Sequence, residues 1–175
     1  MLAPDAWVPL AQVMRPHGVR GELRVRSFNR DSELLLSLDE VLVRFPEGDE
    51  QEVSVDGARR ANDAILMKLH SVDGREGADA LRGAVLCARR ADFPPLDDGE
   101  FYACDVEGAR VAVAGGEELG EVTELKTYPT VDVLVVAARD GGRAWEVPLV
   151  GGVVTKVDLE AGLVTLATLD GVERA

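Results

Sequence analysis

Two histidines, two cysteines and a scatter of carboxylates are the side chains that could carry chemistry near neutral pH, and their spacing serves it poorly. Neither His17 nor His70 falls into a metal-ligand pattern with Cys, Asp or Glu, and Cys87 and Cys104 form no CxxC pair. No GxSxG elbow, P-loop or GxGxxG run occurs, and Gly18-Val19-Arg20-Gly21 is too short to cradle a phosphate. Glu117 and Glu118 sit in an apparent turn and read as solvated. Asp105 is the one acid in apolar and aromatic company, which suits a cap or a turn. His17, between Pro16 and Gly18, is the residue type of a general base but has no partner nearby in sequence. The chain reads as a non-enzyme with no metal and no cofactor. A composite site that brings His17 and Asp105 together through the fold is the enzymatic alternative.

What the residues do offer is charge and aromatic area. Gln12 to Arg26 holds four arginines, one histidine and one acid, the most basic patch of the chain. Gly21–Ser27 alternates as a strand does, with Leu23 and Val25 on one face and Glu22, Arg24 and Arg26 on the other. Arg15 and Arg20 flank the loop before it. Such a patch can contact phosphate; the plainer alternative is the polar side of a half-exposed strand. The second feature is FPPLDDGEFYACDVEG, residues 93–108. Pro94 and Pro95 stiffen an extended backbone and stop helices and inner strands, which reads as a hinge. Phe101 and Tyr102 follow it. In a strand, neighbours face opposite ways, so one enters a core and the other faces outward.

The elements around these features are short strands. The first half shows strands at residues 8–15, 21–27, 40–45, 52–56, 64–69 and 85–88. A short helix is expected over 31–38, capped by Asp31 or Ser32. Another is expected after Asp73, ending at Gly83. The second half shows strands at 109–114, 119–125, 131–138, 143–148, 153–158 and 163–167, with almost no helix. The β-branched run over 131–138 predicts burial on both faces. The tail 169–175 reads as loosely attached. Six short strands with local turns in each half predict an all-β protein of two small β-barrels joined by a Pro-containing linker. The expected bounds are 1–90, a linker at 91–98, and 99–175.

Composition agrees with two modules. The chain has 175 residues and a net charge of −13. Residues 1–90 carry −2 and residues 91–175 carry −11, so the charge breaks at the hinge. The acidic half repels phosphate and suits a basic protein partner, or simply serves solubility. The longest uncharged runs, 6–14, 147–155 and 161–169, fall far below the roughly 20 residues of a membrane helix. The N-terminal stretch lacks the basic region of a secretory signal. The cysteines read as reduced core residues of a cytoplasmic protein.

Several stretches, in order along nearly the whole chain, resemble the ribosome maturation factor RimM family. They are RPHGVRGELRV (15–25), DGREGADALRG (73–83), LDDGEFYACDVEG (96–108), LGEV (119–122), VDVLVV (131–136), WEVP (145–148) and VDLEAG (157–162). The resemblance implies a translation-factor-like N-terminal barrel and a PRC-type C-terminal barrel. It further implies a cytoplasmic, monomeric assembly factor that binds the immature head of the small (30S) ribosomal subunit. The implied partners are the pre-30S particle with its rRNA and ribosomal protein nineteen of the head. The matching positions imply partner binding by Phe101, Tyr102 and Asp105, and RNA contact by Arg15, His17, Arg20, Arg24 and Arg26. Two departures stand out: Phe101 replaces the family's first tyrosine, and Thr127–Thr130 replaces a Gly-containing turn. A generic two-barrel adaptor for an unrelated protein is the runner-up.

Overall fold

A computed structural model describes residues 2–29, 32–97 and 100–175. Asp31, one of the two candidate caps, and Asp98 of the acidic run lie outside the described residues. The chain divides into two compact units, Ala3–Pro95 and Leu96–Ala175, the latter joined by Leu2.

The first unit has six strands: β1 (Trp7–His17), β2 (Glu22–Ser27), β3 (Glu40–Arg44), β4 (Glu50–Ala61), β5 (Ala64–Leu69) and β6 (Val85–Arg89). They close into an antiparallel barrel in the order β1-β2-β5-β4-β3-β6, with β6 pairing back onto β1. The expected alternation sets the inside: Leu23 and Val25 are fully buried, as are Val41, Val43, Met67 and Leu86. Each such side chain contributes about 1.5–3 kcal/mol by leaving water. Bulges at Met14 in β1 and Asp56 in β4 supply the bending that closure needs. Leu34 and Leu35, Ala78 of the helix α1 (Gly74–Ala80) and Leu81 at its C-cap fill the same core.

Three local expectations are corrected here. The helix over 31–38 is a single 3-10 turn, Leu34–Leu36. The strand expected at 52–56 runs from Glu50 to Ala61, because Glu50–Ser54 pairs with β3 while Val55–Ala61 pairs with β5. Two partners extend one strand beyond its hydrophobic signal. Asp73 occupies the N-cap position of α1 but makes no capping hydrogen bond; its carboxylate lies 3.3 Å from Lys68 Nζ instead. One glycine is compulsory. Gly21 sits at φ +83, and a side chain there would run into the Val72 carbonyl, so the turn into β2 admits no other residue.

The second unit opens with a short helix, α2 (Ala103–Val106), followed by β7 (Arg110–Val113), β8 (Glu118–Thr127), β9 (Asp132–Ala138), β10 (Trp145–Pro148), β11 (Val154–Asp158), β12 (Leu163–Leu166) and β13 (Glu173–Arg174). One sheet runs β11-β12-β7-β8-β9-β10-β13. It wraps a single core of Val106, Val111, Leu134, Val136, Val147, Val164 and Leu166, all fully buried. The β12–β7 pair is parallel, the rest antiparallel. Within β9, Val133, Leu134 and Val136 are buried but Ala137 is exposed, so the strand is not covered on both faces as expected. The tail is also better attached than expected. β13 pairs with β10, and the Arg174 guanidinium lies 4.0 Å from the Trp145 ring and 2.6 Å from Asp140 Oδ2.

Candidate nucleic-acid and protein interfaces

The β1–β2 hairpin presents the basic residues. Antiparallel partners share a face, so the register sets Arg15 beside Arg24, Gln12 beside Arg26 and His17 beside Glu22. Two arginines side by side repel unless one is neutralised. Arg24 is neutralised: its Nη2 lies 2.5 Å from Asp63 Oδ1, in the β4–β5 turn. Arg59 of β4 likewise holds Glu22, at 2.8 and 3.0 Å. On the register Leu66 lies between Arg24 and Arg59 and is only 3% exposed. Arg24 is therefore part of a structural ion-pair row.

Arg15, Arg20 and Arg26 differ. All three are exposed, and their guanidinium groups make no ion pair among the described residues. Arg26 lines a shallow depression of about 170 Å³ with Ser27, Arg60, Asn62 and Asp63. Phe28 follows it at the end of β2, 54% exposed, its amide bonded to the Leu10 carbonyl. Val19 stands at the hairpin tip, 76% exposed. Cations and exposed apolar side chains along one hairpin are the combination that grips phosphate and stacks unpaired bases. Phe28 escaped the sequence reading; its place two residues beyond Arg26 on the outward side of the alternation was the available signal.

The aromatic pair belongs to the second unit. Phe101 and Tyr102 lie directly before α2 and in no strand, Tyr102 taking the N-cap place on extended backbone at φ −82, ψ 149. Both are half-buried, and Phe101 packs on the second core. Asp105, in the first turn of α2, is 1% exposed, and its carboxyl is satisfied within the chain. It positions the segment rather than meeting solvent. Phe101 also lines a groove of about 580 Å³ with Glu100 and strand β11.

Around α2 and β8 the surface is acidic, with Glu121 and Glu124 exposed. Burial, then the nearby Glu124 charge, pushes the Glu107 carboxyl above its ordinary range. Thr127–Thr130 turns without glycine, the Tyr128 amide reaching the Val131 carbonyl at 3.1 Å. Among the described residues no group of His, Cys, Asp and Glu could hold a metal ion, and no helix is long and apolar enough to cross a membrane.

Both units match known families. Residues 8–93 match the RimM N-terminal domain and residues 103–172 the RimM PRC barrel domain. The ribosome maturation factor RimM of Sorangium cellulosum is 48% identical over 165 residues, 94% of this chain and 96% of that protein. That of Geobacter metallireducens is 35% identical over 171 residues, 98% of each chain. A crystal structure of a 16S ribosomal RNA processing protein RimM from Pseudomonas aeruginosa, at 27% identity, covers 92% of this chain and 96% of that one with a TM-score of 0.48. With both domain models matched in order and such relatives along nearly its whole length, the chain belongs to the ribosome maturation factor RimM family.

Proposed function

We propose that this protein binds the immature head of the small (30S) ribosomal subunit and promotes rRNA maturation, as a cytoplasmic monomer that catalyses no bond change. Family membership supports a role in ribosome maturation. The observation that carries the division of labour is the contrast between three exposed arginines on one hairpin, without an ion pair among the described residues, and a strongly acidic second half. Arg15, Arg20 and Arg26 contact rRNA phosphate, with His17 beside them and Phe28 stacking an unpaired base. Arg24 holds the hairpin's outer face in shape through Asp63. The acidic unit, with Phe101 and Tyr102, holds a basic head protein, ribosomal protein nineteen, by area and charge. Asp105, buried in the first turn of α2, anchors the helix that follows the aromatic pair. Binding an incompletely folded head better than the finished one shifts populations without covalent chemistry.

The test is complementation. Cells without the protein should accumulate unprocessed small-subunit rRNA, and the wild-type chain should clear it. An Arg15→Gln/Arg20→Gln/Arg26→Gln chain at equal abundance should fail to do so. Full clearance by that variant removes the RNA arm of the proposal.

A further inference from the structure

We propose that the outer edge of β11 is a docking strand for an extended, basic segment of a protein partner. The inference rests on the reading above, that the second unit holds a basic ribosomal protein, and it names where and how.

β11 ends the sheet. Among the described residues its only strand neighbour is β12; at its start the Val154 amide is taken by the Val150 carbonyl at 2.9 Å, and from Thr155 to Asp158 no loop amide or carbonyl bonds the strand's backbone. The opposite end of the sheet is β13, only two residues long. β11 is five residues, about 16 Å long, and beyond Val154 the backbone groups that alternate away from β12 are open among the described residues, a template for another strand. Natural sheets blunt such an edge with a free lysine or an outward bulge. Here neither guard faces out. The Lys156 ammonium is engaged on Asp158 at 2.7 Å, and at the bulge the Thr155 hydroxyl turns inward to donate to the Thr165 carbonyl at 3.1 Å.

The edge also has a wall. Glu100 and Phe101 line the groove that runs beside Val154–Asp158. An added strand sends alternate side chains to one face, where the half-buried Phe101 and Val157 present apolar area. Asp158 and Lys156 neutralise each other, so Glu100 and Glu160 leave two surplus negative charges around the groove. That complementarity selects Lys- or Arg-bearing segments. It repels phosphate, and it opposes a second copy, whose own carboxylates would meet these.

The experiment is backbone hydrogen exchange on the full chain, free and with purified ribosomal protein nineteen, alongside the dissociation constant of a Glu100→Lys/Glu160→Lys variant. Both glutamates are exposed; Glu100 gives up only an exposed hydrogen bond accepted from the Asp97 amide, and an unchanged melting temperature of the variant confirms that the fold is kept. Amides of β11 that point away from β12 should slow on binding, and the variant should bind at least about tenfold more weakly. A complex that leaves β11 exchange unchanged, or a variant with wild-type affinity, overturns the edge while leaving the partner reading standing. No complex at all overturns both. Protection of β11 without partner, together with dimerisation of the free chain, would give the edge to a second copy and overturn the occupant proposed.

Discussion

Replacing Arg15, Arg20 and Arg26 together with glutamine should flatten the salt dependence of RNA binding while leaving the fold intact. All three side chains are exposed and make no ion pair among the described residues, so no such contact in the barrel is lost with them. Each phosphate contact on a single strand contributes roughly 0.7 to the slope of log affinity against log salt, so three contribute about 2. Between 50 and 200 mM salt the wild type should therefore lose about 18-fold more affinity than the variant. The assay is fluorescence anisotropy on a short single-stranded segment of small-subunit rRNA across a salt series. Arg24→Gln/Asp63→Asn is the matched control. It removes one arginine but deletes a neutralised pair, so net charge and slope should both stay put. An unchanged slope in the triple variant, or an equal change in the control, would refute the division drawn between free and engaged arginines.

Other perturbations test the architecture. Gly120→Ala should destabilise the second unit by about 3 kcal/mol, because a Cβ there would collide with the Ala137 carbonyl across the β8–β9 pair. On a unit of this size that is a fall of roughly 12 °C or more in melting temperature, and a shift of only a degree or two would contradict the geometry. Arg174→Ala tests the tail. The Arg174 hydrogen bond, followed by the Gly142 amide, holds Asp140 below its ordinary 3.8. A carboxyl depressed in the folded state adds stability above 3.8 that disappears as pH falls through the lower folded value. The melting gap between wild type and variant should thus be widest near neutrality and narrow in acid to what the Trp145 contact contributes; a constant gap would argue against the pairing. Glu107→Gln runs the other way. Burial and Glu124 raise the Glu107 pKa, so its ionisation costs stability as pH rises. The variant should melt higher than wild type at neutral pH, with the gain vanishing below the carboxylate range, and a lower melting point at pH 7 would contradict it.

The two small all-β units were legible in the residues because period-2 alternation is local. Leu23 and Val25 against Glu22, Arg24 and Arg26 give both the strand and its buried face. What escaped depends on partners distant in sequence. The length of β4 comes from two neighbours in turn, and only its middle carries a hydrophobic signal. The parallel β12–β7 pair and the docking of β13 on β10 join stretches with no local relation. The basic patch shows the same limit. The sequence sets Arg24 and Arg26 on one face, as the fold does, but Asp63, which engages Arg24, is 39 residues away. Among the described residues the four arginines of the patch thus divide into one engaged in an ion pair and three without one. Phe101 and Tyr102 were visible as a pair, yet their place at the start of α2 follows from helix geometry rather than from a strand.

The central claim is binding to the unfinished small subunit, and sucrose-gradient co-sedimentation tests it most directly. The tagged full chain is sedimented from a lysate holding precursor and mature particles, and its position is read against small-subunit markers. The protein should co-sediment with free precursor small subunits and be absent from complete ribosomes. No association with small subunits at low salt, or equal association with mature ribosomes, would contradict the account.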